Sequence, residues 1–455
     1  MARLAWFTPW PPQRSGVAGR SSEVIPLLAG RGLGIDVFVD ERVVPVAGRA
    51  PDAPPAPGDV RVQSAHDFPW RHARGQYDLV IYQLGNSSVH DFTWPYLFRW
   101  PGLVVLHDTS LHHARAQALL GRRRLDAYRA EFAWNHPGVG PAAGLAVRGF
   151  NGVYYYCWPM RRAVIESARM VGVHSQGGCR ELQNAFPDRP VAYIALGEGG
   201  DPVPSAQARF RAAHDLPEGA VLFGVFGMLT EEKRIGPVLR AFSAARARDL
   251  NVHLVLAGWP DPKLRIPELI ESHGLTGSVS VITRLDDAEF DAAIAAMDVC
   301  LCLRWPTAGE TSGPWLRALA SARPTIILDL IHLSHVPTLD PRTWRRHAPS
   351  SDTSPEADAR SAAIGIDLLD EDHSLRLAMV RLATDPALRD QLGRAGRAYW
   401  EQEHTVTHMV EDYLRAIAQA IALPMPDAPL PRHLRPDPAA QARGILAPFG
   451  LPAPF

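Results

Sequence analysis

The stretch PTAGETSG, residues 306–313, places one carboxylate, Glu310, in a small-residue loop between an apolar run and a helix expected to open at Pro314. Proline suits a first helical position, and Ser312 or Gly313 suits the cap before it. Backbone N–H groups at such a mouth, with the helix dipole behind them, favour an anion and phosphate above all. Glu310 would accept hydrogen bonds from the hydroxyls of a bound sugar, or from a neighbouring amide as an ordinary capping carboxylate. A second glycine turn, Gly227 to Lys233, follows the apolar run 221–226 and leads into a helix. Lys233 is expected early in that helix, where a cation gains nothing from the dipole. An anion between the lysine and the helix mouth would explain the placement; a solvated surface lysine is the simpler alternative.

Other chemistry-bearing groups recur at the ends of apolar runs. The turn PPQRSGVAGRSSE, residues 11–23, carries Gly16, which lets the backbone approach a ligand closely. LVVLHDTSLHH, residues 103–113, ends a strand on His107 and Asp108. His107 can hydrogen-bond substrate hydroxyls with Asp108 fixing its orientation, or the two form a satisfied surface pair. His112 and His113 add imidazoles but lack cysteine partners or a helical glutamate helper, so no metal site is expected. Ser175 in VGVHSQ reads as a helix cap, and the acidic Asp370-Glu371-Asp372 as a helix N-terminus. The chain has no Walker loop, no Gly-x-Ser-x-Gly elbow, no His-Glu-x-x-His and no dinucleotide fingerprint. No resident cofactor is expected.

These residues need elements to hold them. With 455 residues the chain exceeds one ordinary core, so two domains are expected. The net charge of −1 speaks against a nucleic-acid partner, although the local Arg122-Arg123-Arg124 cluster stands out as a solvated face. Four cysteines form no ligand pattern and read as reduced thiols, pointing to a cytoplasmic protein. The N-terminus lacks a leader-like apolar stretch, and no run reaches the ~18 apolar residues that span a bilayer; attachment to a membrane face stays open.

Short apolar runs at 4–7, 35–39, 78–82, 103–106 and 170–174 alternate with helical patterns, including 17–30 and 142–168. A Gly/Pro/Ala-rich stretch at 196–220 reads as a linker. Alternation resumes with runs at 221–226, 252–257, 279–282, 299–303 and 325–328. The expected fold is α/β: two Rossmann-like, doubly wound domains facing each other across a cleft. Residues 342–360 read as a surface loop, 386–421 as helical with a break near QEHTVTH, and the Pro-rich end as extended or disordered.

Taken in order, WFTPWPPQRSGVAGRSSEVIPLLAGRG, VFGMLTEEKRIGPVLRAFSAA and GETSGPWLRALASARPTII resemble motifs of the retaining glycosyltransferases of the GT-B fold, family 4. The late helices add a fourth likeness. The resemblance covers the chain to about residue 421 and implies domains at 1–200 (acceptor side) and 201–395 (nucleotide-sugar side). It further implies a helix at 396–423 crossing back to the first domain, followed by a tail at 424–455. It implies transfer of a sugar, with retention, from a nucleoside-diphosphate sugar to an unidentified glycan, lipid-linked or small-molecule acceptor, without metal. Glu310 would contact the donor sugar, Lys233 would neutralise the leaving diphosphate, and His107 would touch the transferred sugar. Gly16, Gly227, Thr311, Ser312 and Gly313 would line the donor, with Asp108 alongside His107. The chain departs from the pattern at Met228, where the family has arginine, and at Arg317, where it has a second glutamate that binds the ribose diol. A guanidinium only donates, so Arg317 is expected to contact ribose oxygens or phosphate and replace the cation missing at 228. An inactive sugar-nucleotide-binding scaffold and a sugar-nucleotide epimerase are the competing readings.

Overall fold

The computed structural model describes residues 2–450 apart from 14, 47–54, 151, 202–203, 348–354 and 436–445. The chain forms two Rossmann-like domains built on separate sheets. One compact unit comprises residues 1–172, 186–192 and 414–455; the other comprises 173–185 and 193–413.

The first sheet has seven strands: β1 (Arg3–Phe7), β2 (Gly34–Val39), β3 (Val60–Ser64), β4 (Leu79–Leu84), β5 (Leu103–Leu106), β6 (Met170–Val173) and β7 (Val191–Tyr193). Their spatial order is β3-β2-β1-β4-β5-β6-β7. Strands β2, β4 and β5 are buried along their whole length, because helices cover both faces of a parallel sheet and leave no polar side for alternation. VRVQS (β3) escapes a reading of apolar runs because it is an edge strand with mixed polarity, and Val60 is exposed.

The second sheet holds β8 (Val221–Phe226), β9 (Val252–Ala257), β10 (Val279–Ile282), β11 (Val299–Leu301), β12 (Thr325–Leu328), β13 (Thr338–Asp340), β14 (Arg345–His347) and β15 (Ala363–Ile366). Its order is β10-β9-β8-β11-β12-β15-β13-β14, with only β13 and β14 paired antiparallel. The helix Ile235–Arg246 packs Ile235, Val238, Leu239 and Phe242 into the core beneath β8 and β9, the face its spacing announces.

Several segments differ from expectation. The stretch 342–360 is not simply a loop: it carries β14 and a helix, Pro355–Ala359, while 348–354 lie outside the described residues. Asp340 and Asp358 hold its arginines, so ion pairs take the place of the apolar run that would have revealed it. The expected linker contains a helix, Pro204–Ala213. The long helical region divides as expected, into Pro386–Glu403 and Val406–Ala422. The Pro-rich end is docked as far as Arg435. Arg169 donates to the Ile421 carbonyl at 2.8 Å, Leu430 is buried, and His433 reaches Glu131 at 3.0 Å. Residues 436–445 and 451–455 of that end lie outside the described residues. Among the described residues no helix is long and apolar enough to cross a membrane.

Candidate functional site

In an open parallel sheet, ligands bind at strand carboxyl ends where the strand order reverses. In the second sheet that point lies between β8 and β11. The loops leaving these two strands are the ones that carry Gly227, Lys233, Glu310, Thr311, Ser312 and Gly313.

After β8 the chain turns through Gly227 at φ +96°, a conformation an L side chain rarely adopts. Gly227 N–H donates to the Ala257 carbonyl at 3.0 Å, which ties the turn to β9. Residues Glu231–Lys233 then form one 3₁₀ turn, and Arg234 adopts a left-handed conformation at φ 58°. Arg234 is fixed there by Glu371, its Nε donating at 2.8 Å. The helix starts only at Ile235, so Lys233 lies ahead of it and not in its first turn. Dipole repulsion by that helix is therefore not what makes Lys233 unusual.

Burial is. Lys233 is 7% exposed and has no carboxylate partner among the described residues. Burial, assisted by the neighbouring Arg304, lowers its pKa from 10.5 to about 8. A Cβ placed on Gly227 would lie 3.9 Å from Lys233 Nζ and 3.8 Å from Pro314 Cγ. The ammonium, the glycine turn and the helix mouth thus meet at one spot, and any side chain at 227 would crowd it.

The mouth belongs to the helix Gly313–Ala320, with Pro314 in its first turn and Ser312 as cap, its hydroxyl accepting from Trp315 N–H at 3.4 Å. Thr311 hydroxyl donates to the His174 carbonyl at 2.8 Å. The N–H groups of Thr311, just ahead of the cap, and of Gly313, the first helical residue, have no acceptor among the described residues. Trp305 N–H donates to the Glu232 carbonyl at 2.7 Å and joins this loop to the Lys233 turn.

Glu310 is held by its own loop. Its Oε2 accepts from Thr307 hydroxyl at 2.8 Å and from Ala308 N–H at 2.9 Å, and its Oε1 pairs with Arg304. A sugar hydroxyl reaching this carboxylate would share it with Thr307. Arg304 and Thr307 were not picked out from the sequence; a basic residue six positions before the glutamate is a signal too generic to read alone.

Arg317 is engaged twice. Its Nε donates to Glu198 at 2.6 Å and its Nη1 to Asp291 at 2.9 Å, while Phe290 lies 5.6 Å from the guanidinium carbon. Two carboxylates around one guanidinium leave a local charge of −1, so Arg317 as it stands does not supply the cation missing at 228. Met228 itself is 65% exposed. Glu198 comes from the linker-like stretch LGEGG, and its carboxyl carbon lies 3.6 Å from a Cβ placed on Gly313. A carboxylate therefore does reach this helix, supplied from 119 residues upstream of Arg317.

Gly16, His107, Asp108 and His112 lie in the first unit. Its strand order reverses between β1 and β4. Gly16 opens the helix Gly16–Gly30 behind the cap Ser15, and the space where its Cβ would project is empty. His107 leaves β5 with Nε2 2.7 Å from Gln83 Oε1. Asp108 accepts Asn86 N–H at 2.6 Å and so clamps the turn after β4. Gln83 sits on the neighbouring strand β4, so its pairing with His107 leaves no trace in local spacing. His112 is a core residue, bonded to Tyr128 hydroxyl at 2.8 Å, with burial lowering its pKa to about 3. No group of His, Cys, Asp and Glu able to hold a metal occurs among the described residues. Ser175 accepts Gly178 N–H at 3.1 Å, the capping bond expected of it.

No protein-family model matches the sequence, and no curated protein does. Solved structures do match. The sucrose-phosphate synthase of Thermosynechococcus elongatus is 16% identical with a TM-score of 0.61, covering 93% of this chain and 100% of its own. A glycosyltransferase of Rickettsia africae is 12% identical with a TM-score of 0.60, covering 92% and 99%. HepE of Anabaena, solved with UDP and glucose, is 12% identical with a TM-score of 0.55, covering 91% and 99%. At such identities the likeness establishes architecture: the chain has the two-domain fold of the GT-B glycosyltransferases.

Proposed function

We propose that the protein is a glycosyltransferase that moves a sugar from a nucleoside-diphosphate sugar to a hydroxyl acceptor, retaining the anomeric configuration. One observation carries the reading: a buried lysine without a carboxylate partner among the described residues, set between a glycine turn and a helix mouth at the switch point of the second sheet. Breaking the anomeric C–O bond leaves its electron pair on the diphosphate. Lys233 and the Thr311 and Gly313 amides are the groups placed to stabilise that charge. In front-face attack the acceptor oxygen bonds the same face of the anomeric carbon, and its proton passes to the departing phosphate oxygen. Glu310 positions the sugar through its hydroxyls, and Gly227 gives the diphosphate room. Gly16 is assigned to the donor, and His107 with Asp108 to the transferred sugar. The reaction needs no resident cofactor in this reading, and the four free cysteines fit a reducing compartment such as the cytoplasm.

The test is a thermal-shift screen with UDP-, GDP- and ADP-sugars, followed by assays of donor hydrolysis and of transfer to glycan and lipid acceptors. HepE's solved complexes with UDP and UDP-glucose make UDP-sugars the first choice. Glu310→Ala is expected to abolish transfer while preserving the melting temperature, and full activity in that variant would overturn the assignment. A second reading, a sugar-nucleotide-binding scaffold, draws on Met228 and on the pairing of Arg317 with two carboxylates. Donor binding with no turnover across the acceptor panel would favour it, whereas conversion of donor without any acceptor would indicate an epimerase.

A further inference from the structure

The first unit contains a cavity of about 300 Å³ bordered by five arginines. Arg115, one of them, is 5% exposed, with its guanidinium carbon 4.0 Å from the centre of the Trp94 ring. Its Nε and Nη2 donate to Glu131 at 2.6 and 2.7 Å, and His433 Nε2 approaches the same carboxylate at 3.0 Å. Arg99, Arg122, Arg124 and Arg435 also line it. Arg122 lies 3.6 Å from Asp91, and Arg435 donates to the Leu430 carbonyl at 2.7 Å. Arg99, Arg124 and Arg435 have no carboxylate partner among the described residues.

Five guanidinium groups thus face two carboxylates, Asp91 and Glu131, a surplus of three positive charges around one cavity. The whole chain has a net charge of −1, so composition does not account for this concentration. Like charges gathered about a concavity repel until an anion enters, and guanidinium forks match phosphate oxygens. The other wall is apolar: Trp94, Phe98 and Leu119 are buried side chains that a bare phosphate would not use. The indole N–H of Trp94 is buried and has no acceptor among the described residues.

We propose that this cavity binds a phosphate ester, its phosphate held by Arg99, Arg124 and Arg435 and its apolar body laid against Trp94 and Phe98. The site lies within the first unit, is independent of the Lys233 site, and does not rest on the function proposed above. It also gives the C-terminal segment a role, since His433, Leu434 and Arg435 close one side of the cavity. A soluble ester and a phospholipid headgroup both present such a phosphate, and experiment separates them.

The test uses the full chain, the Arg99→Ala/Arg124→Ala double variant and, as a control, Lys233→Ala. These two arginines are exposed, so the melting temperature of the double variant should be unchanged. Calorimetric titration with phenyl phosphate should show binding to wild type and to Lys233→Ala alike, weakened at least tenfold in the double variant. Phosphatidylcholine vesicles containing phosphatidic acid form the second arm. Flotation of wild type but not of the double variant identifies the headgroup as the source, and phenyl phosphate binding without flotation identifies a soluble ester. The proposal is overturned if neither probe binds, if the double variant binds both as wild type does, or if Lys233→Ala abolishes binding. The thermal response to nucleotide sugars should be the same in wild type and the double variant, which separates this outcome from failure of the transferase reading.

Discussion

Lys233 carries a charge where its surroundings oppose one. Its pKa falls from 10.5 unfolded to about 8 folded, which corresponds to a cost on the order of 3 kcal/mol at neutral pH, where both states are protonated. Between pH 8 and 10.5 the unfolded chain holds more protons than the folded one, so this cost disappears as pH rises through that window. Lys233→Met should therefore unfold at higher urea than wild type at pH 7, by about 1–3 kcal/mol, with the gap closing towards pH 10.5. If the proposed transfer holds, its rate in this variant should fall roughly 10²–10³-fold, because the cation assigned to the leaving diphosphate is lost. A variant that is more stable and less active is the mark of a functional lysine; a purely structural one would lose both. Arg317 behaves differently. Arg317→Ala removes the guanidinium that Glu198, 9% exposed, accepts beside the Gly313 helix, and should cost about 1–3 kcal/mol by urea denaturation. Adding Glu198→Gln should recover most of that loss. If the single variant instead unfolds as wild type does, the pair is not holding the mouth of the helix.

At the scale of elements, the site depends on how closely two loops approach. Gly258 ends β9 at φ +145°, and a Cβ there would lie 1.8 Å from the Gly227 carbonyl oxygen. Gly258→Ala must displace the Gly227 turn, and with it the pocket beside Lys233. The expected result is a melting temperature lower by several degrees and a weakened thermal response to nucleotide sugars, although residue 258 is assigned no ligand contact. The loops that follow β8 and β11 were legible from sequence because strand, glycine turn and helix leave a periodic trace. The 3₁₀ turn at Glu231–Lys233 was not, because its end is set by Arg234 bonding Glu371, a residue 137 positions away. β3 and β14 were missed for the complementary reason: on sheet edges, polar and charged side chains face solvent, and the apolar run that marks a central strand is absent.

Across the molecule, buried histidines make the second unit sensitive to acid. Burial, reinforced by His335, His174 and His408, lowers the His404 pKa to about 3, while burial lowers His332 and His335 to about 4. Each remains neutral in the fold and ionises near pH 6.5 when unfolded, so the unfolded state binds more protons from pH 6.5 down to about 4. Stability should fall progressively through that window by several kcal/mol, read as a falling urea midpoint, and His404→Phe should make the fall shallower. The sequence by itself determined the alternation of strands and helices, the two-domain α/β fold, and the loops in which Glu310, Lys233 and Gly227 lie. Those follow from local spacing, since periodicity and turn chemistry act over a few residues. Tertiary structure alone decided that Lys233 is buried, with no carboxylate partner among the described residues, that Glu198 meets Arg317 and that Gln83 bonds His107. It also set five arginines around one cavity. These are pairings between distant segments, which only the stacking of strands and helices brings within bonding distance.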